Sequence, residues 1–265
     1  MTVTVTALHL YPVKSLGSIT VTSTKILRTG IQHDRNWMVV KPDGTFLTQR
    51  THPQMALVET TIENNTLVLN SFGMDPLHVP TPGTEAARLE TEVWGDGVSA
   101  IDTGDTAADW LSQAIGESCR LTLFPESEQR FCDASVAKEG VHTMFADAYP
   151  LLVISEASLE DLNSRLATPV SMDRFRPNIV VSGCAAFAED TWKAMVINGA
   201  RFRMLDRCAR CSVPTIDPTL GTLSGPEPIH TLNSYRSEGD EVYFGMNAAS
   251  DGESLISVGD AVELL

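Results

Sequence analysis

Two cysteines three residues apart, Cys208 and Cys211, sit in the run Arg207-Cys-Ala-Arg-Cys-Ser-Val-Pro-Thr-Ile-Asp217-Pro. A thiolate becomes a good ligand or nucleophile when nearby cations lower its pKa, and Arg207 and Arg210 are placed in sequence to do that. Four readings are open. A structural zinc site needs about four ligands, but no second Cys-x-x-Cys and no matching pair among the six histidines is present. A redox pair opening a helix is disfavoured by the prolines that follow. The remaining two are a pair of buried core cysteines, and one thiolate ligand to a soft transition metal beside a structural neighbour.

Other residues suit anion binding. Lys14-Ser15, with Gly17 close behind, follows Tyr11-Pro-Val at the end of an apparent strand, a combination that suits a phosphate oxygen. In Phe175-Arg176-Pro-Asn178 the arginine precedes a proline, which predicts an extended backbone and an outward-aimed guanidinium. Arg35 next to Asp34 reads equally as an anion contact or a surface pair. Asp147 is a polar group beside an apolar strand. His33, His52 and His142 stand alone in polar surroundings and read as solvated or hydrogen-bonded rather than ligating. The chain lacks Gly-x-Gly-x-x-Gly, the Gly-Lys-[Ser/Thr] phosphate loop and Gly-x-Ser-x-Gly, so nicotinamide binding, ordinary nucleotide hydrolysis and α/β-hydrolase chemistry are not indicated.

The elements that must hold these residues are mostly strands. Val3–Thr6, Ile19–Thr22, Asn36–Val40 and Thr66–Leu69 read as β, with a Lys41-Pro-Asp-Gly44 turn and a surface connection at Pro80–Gly83. Helical spacing appears at 106–115, with Asp105 or Thr106 as cap and Gly116 as stop, and again at 155–166, where Leu159, Leu162 and Leu166 share a face. Strands follow at 150–154, 178–181, 196–205, 241–244 and 261–265. The expected fold is mixed α/β and β-rich, a β-barrel body with appended helices.

A formal net charge of −15 over 265 residues argues against general affinity for nucleic acid or anionic membranes. No segment approaches a membrane-spanning apolar length, and the N-terminus lacks the pattern of a signal peptide. Five thinly spread cysteines do not suggest a disulfide framework, so a cytoplasmic location is expected.

Taken in order, Tyr11-Pro-Val-Lys-Ser15, His33-Asp-Arg-Asn-Trp37, Phe145-Ala-Asp147, Ser155-Glu-Ala-Ser-Leu, Phe175-Arg-Pro-Asn178, Ala188-Glu-Asp-Thr-Trp192 and Cys208-Ala-Arg-Cys211 resemble the molybdenum cofactor sulfurase C-terminal (MOSC) domain proteins that carry an N-terminal β-barrel domain. The resemblance runs nearly end to end and is strongest to the mitochondrial amidoxime-reducing components and bacterial N-hydroxylated-base reductases. It implies a MOSC-type barrel over 91–265 and an N-terminal β domain over 1–90. It also implies a molybdenum cofactor (molybdenum–molybdopterin), with Cys211 as metal ligand and Lys14, Ser15, Arg35, Arg176 and Asn178 holding the pterin and its phosphate. Asp147 matches an acidic position near the metal and is a candidate for orienting substrate or relaying protons. Tyr149 departs from the small hydroxyl residue of the mitochondrial members, and Cys208 is expected to be structural.

The implied reaction is reduction of hydroxylamines, amidoximes and N-hydroxylated bases by oxygen-atom transfer. A dithiolene and one protein thiolate make a soft metal site, the cofactor supplying the hard chemistry. No cysteine-rich iron–sulfur segment follows the barrel, so a separate flavin or iron–sulfur electron donor is expected. The rival reading is a carrier of cofactor or sulfur without its own reductase activity; the third is a degenerate binding module.

Overall fold

The computed structural model describes residues 2–80, 82–83 and 85–265, so Thr81 of the expected Pro80–Gly83 connection lies outside the described residues. Seven strands close into a barrel. Their order is Leu151–Ser155, Ile179–Ser182, Val3–Leu10, Ala261–Leu264, Ala194–Ile197, Ala200–Ala209 and Glu241–Ser250, the last pairing back onto the first. Apolar residues at alternate positions fill the interior: Val3, Val5, Ile179, Val181, Phe202, Met204 and Val262 belong to one buried cluster. Along the first strand the inward set changes parity, from Val3 and Val5 to Leu8 and Leu10. An irregularity in pairing between Val5 and Ala7 supplies the extra residue that permits this.

The strand Leu151–Ser155 is buried at every position because both of its faces are covered. Leu151 and Val153 pack inside the barrel, whereas Leu152 and Ile154 join Leu162, Phe175 and Phe244 outside it. This strand runs parallel to Ile179–Ser182, and a parallel pair needs a crossover. The helix Glu156–Arg165 supplies it. Ser155 caps that helix, its hydroxyl accepting from the Ser158 amide at 3.1 Å.

A second sheet, in the order Trp37–Val40, Arg120–Leu123, Asp96–Asp102, Arg88–Val93, forms a half-barrel. Helix Asp105–Ile115 packs Leu111 and Ile115 against Val39, Leu47 and Leu121. The fold is therefore mixed and β-rich. The 90/91 division expected from the sequence falls within strand Arg88–Val93, and Val3–Leu10 is a barrel strand flanked by segments from the other end of the chain.

Three local expectations change. The first helix is capped at Gly104 without a side-chain bond, not by Asp105 or Thr106; Asp102 Oδ1 accepts from the Gly104 amide at 2.9 Å instead. The segment 196–205 is not one strand, because Asn198 and Gly199, with φ of 46° and 79°, turn a hairpin between Ala194–Ile197 and Ala200–Ala209. Arg176 is not extended. It adopts φ 55° and ψ 46°, its amide donating to the Asp173 carbonyl to close the 3-10 turn Met172–Phe175, so local hydrogen bonding outweighs the preference imposed by Pro177.

Candidate functional site

A cavity of about 400 Å³ lies between the half-barrel and the barrel, within the range of small-ligand sites. Lys14, Ser15, Arg35, Asp147, Arg176, Asn178 and Cys211, far apart in sequence, all line it, as do Cys208 and Tyr149. No histidine does, among the described residues.

Lys14 is buried, and its Nζ donates to the Phe145 carbonyl at 2.8 Å and to Asp147 Oδ1 at 2.6 Å. Burial pulls the ammonium below its ordinary pKa, with Asp147 working the other way. Burial also pushes the Asp147 carboxyl up, but the Lys14 charge and hydrogen bond outweigh it and hold the group well below the usual carboxylate range. The Asp147 side chain opens on the cavity, 74% exposed.

Arg35 pairs with Asp34, whose other oxygen accepts from the Tyr11 amide at 2.7 Å. Both Arg35 and Arg176 stack on the Tyr11 ring, 4.4 and 4.1 Å from its centroid. Arg176 Nη1 donates to the Leu16 carbonyl at 2.8 Å, while its Nη2 is buried without a partner. Burial lowers the guanidinium's pKa to about 10. Ser15, at φ 68°, has its carbonyl anchored by Gln49 Nε2 at 2.8 Å. Asn178 serves the framework: Oδ1 accepts from the Leu152 amide and Arg35, and Nδ2 donates to the His9 carbonyl. It ties two barrel strands to the arginine.

Cys208 is the penultimate residue of strand Ala200–Ala209, and Cys211 lies exposed in the loop beyond it. The two arginines do not converge on Cys211. Arg210 Nη1 reaches Cys208 Sγ at 3.0 Å and Nη2 the Phe175 carbonyl at 2.9 Å, while Arg207 pairs with Glu238 and stacks on Tyr243. Pairing with Glu241–Ser250 is irregular on both sides of Arg207, so simple alternation does not set where these side chains go. The Cys211 loop is anchored by Arg174, which bonds the Pro214 carbonyl, Ser224 and Asp217.

The two halves of the chain match two family models. Residues 2–118 match the MOSC N-terminal beta barrel domain and residues 141–263 the MOSC domain. The chain is 37% identical to mitochondrial amidoxime-reducing component 1 of Mus musculus, over 99% of this chain and 82% of that protein. It is 36% identical to component 2 of Bos taurus (88% and 72%) and 35% identical to component 1 of Homo sapiens (99% and 83%). The chain belongs to the MOSC family. Within this MOSC protein no helix among the described residues is long and apolar enough to cross a membrane.

Several contributors to the MOSC site were not evident in the sequence. Thr48, Gln49, Arg50 and Trp94 line the cavity from the half-barrel side. Arg130, buried, donates to the carbonyls of Met144, Ala146 and Asp147 and thereby fixes the Asp147 segment. The one local signal was a tryptophan before a turn glycine, Trp94-Gly95; the others occupy ordinary polar stretches.

Proposed function

We propose that this chain is a molybdenum-cofactor-dependent reductase of N-hydroxylated compounds, among them hydroxylamines, amidoximes and N-hydroxylated bases. One observation carries the reading. In a chain of net charge −15, three arginines lining one cavity with an exposed cysteine, Arg50, Arg176 and Arg210, have no carboxylate partner among the described residues. Unpaired guanidiniums in a half-enclosed site call for an anion. The orphaned Arg176 Nη2 and the buried, unpartnered Thr48 Oγ1 add unmet polar capacity at its margin. These features fit a phosphate-bearing pterin with a thiolate-ligated metal. The relatives' shared name, amidoxime-reducing component, supports the substrate class.

Cys211 would be the metal's protein ligand, and Lys14, Ser15, Arg35 and Arg176 would hold the anionic pterin. When bound, the molybdenum group supplies two-electron oxygen-atom transfer from the N–OH oxygen. The overall reduction consumes two electrons and two protons and releases the amine or amidine and water. Asp147, kept ionised by Lys14, offers Oδ2 to a substrate N–H or to a proton in transit. Phe175, Ala148 and Tyr149 contribute walls to the cavity. Electrons would come from a separate flavin or iron–sulfur protein.

The test is molybdenum and pterin analysis of protein made in a cofactor-producing host, alongside Cys211→Ala. Wild-type protein should reduce benzamidoxime with a chemical donor in proportion to its molybdenum, and Cys211→Ala should lose at least about 10²-fold in activity, as expected for removal of a group the chemistry depends on. Stoichiometric cofactor without turnover would favour the carrier reading. Protein that binds neither molybdenum nor pterin would end both.

A further inference from the structure

Trp94 occupies a turn position that its residue type does not favour. It opens the turn between strands Arg88–Val93 and Asp96–Asp102, with φ of 55° at Trp94 and 96° at Gly95. Two-residue turns of this hand favour Asn, Asp or Gly at the first position, because a β-carbon there meets its own backbone. A bulky aromatic in that conformation points to a functional rather than a folding role. The side chain is 52% exposed yet held in place. Its Nε1 donates to Asp147 Oδ1 at 2.9 Å, the Arg50 guanidinium lies 4.3 Å from its ring, and Phe46 meets it edge-on at 5.1 Å. Trp94, Arg50 and Asp147 line the same cavity.

The hydrogen bonds also define what Asp147 leaves open. Lys14 and Trp94 both donate to Oδ1, and no hydrogen bond to Oδ2 is formed among the described residues. An ionised carboxylate only accepts, so Oδ2 is a fixed acceptor beside a fixed aromatic plane.

We propose that Trp94 is a specificity-determining residue, selecting with Asp147 for N-hydroxylated substrates built on a planar amidine-type group. The part of the indole that Arg50 and Phe46 leave uncovered stacks on the substrate's π system, and Asp147 Oδ2 accepts from the amino N–H beside the N–OH carbon. Such substrates are neutral near pH 7 and meet no repulsion from the surrounding guanidiniums. Alkyl hydroxylamines lack the plane and gain nothing from the indole. This rests on the reductase reading above but is tested by binding rather than turnover.

The experiment uses oxidised holoprotein of measured molybdenum content, without electron donor, titrated with benzamidoxime by calorimetry. Trp94→Asn installs a residue the turn favours, so the fold is retained and its melting temperature should not fall. It should bind benzamidoxime about tenfold more weakly, the loss expected for one aromatic stack. Trp94→Phe should stay within about threefold of wild type by the same stacking argument. Methylhydroxylamine should bind all three proteins alike. Undetectable benzamidoxime binding by wild type, Trp94→Asn binding within about twofold of it, or an equal weakening for methylhydroxylamine would overturn the proposal. Adding donor afterwards separates the two claims: binding that depends on Trp94 but is followed by no reduction leaves this inference standing and removes the reductase.

Discussion

Asp147 shows how one neighbour sets the chemistry of a residue. Its carboxyl titrates lower in the folded chain than in the unfolded one because Lys14 stands 2.6 Å away. A carboxyl shifted down stabilises the fold above its unfolded pKa, about 3.9, and the contribution is lost as pH falls from there. The stability advantage of wild type over Asp147→Asn should therefore narrow between about pH 5 and pH 3, read from melting temperatures. A constant gap would mean that the ion pair does not control this group. Solvent screening of a side chain 74% exposed keeps the effect small. Lys14 runs the other way: its lowered pKa makes stability rise with pH on the alkaline side, towards the unfolded lysine value. That Lys14 and Asp147 share one cavity was legible from motif order; that they form a pair was not, since 133 residues separate them.

At the level of elements, the segment carrying Asp147 has little regular structure and depends on Arg130. That guanidinium comes from the short pairing of Arg130–Phe131 with His142–Thr143 and satisfies three backbone carbonyls plus Asp96. Arg130→Leu should cost on the order of 2–4 kcal/mol, because it strands buried acceptors. Urea denaturation measures this, and a loss below about 1 kcal/mol would show that the loop is held by something else. Nothing around residue 130 announces this role in sequence, because its partners are carbonyls, which carry no side-chain identity. The Asn198-Gly199 hairpin is the opposite case. Its turn signal was present, and the flanking β character masked it.

For the whole molecule, the decisive pairing is that of Val3–Leu10 between Ile179–Ser182 and Ala261–Leu264. The barrel is closed by the first strand of the chain, so residues 141–263 alone leave it open with two unpaired edges. Deletion of residues 2–10 should abolish cooperative thermal unfolding followed by circular dichroism. A sharp transition in the deleted protein would show that the barrel closes without that strand. The same closure sets the cavity between barrel and half-barrel, where Lys14 and Arg35 from the early chain face Arg176 and Cys211 from the late chain.

The sequence by itself determined the β-rich class, the barrel strands (two of them merged into one), both longer helices, the family and seven of the residues gathered at the cavity; of the half-barrel it showed only Trp37–Val40. Those depend on local periodicity, capping and motif order, which are written in neighbouring residues. Only the tertiary structure decided that Arg210 serves Cys208 rather than Cys211, that Asn178 braces two strands, and that Trp94 reaches Asp147. These contacts join residues brought together by barrel closure and strand register, and no local preference along the chain encodes where a side chain on one element meets the carbonyl or carboxylate of another.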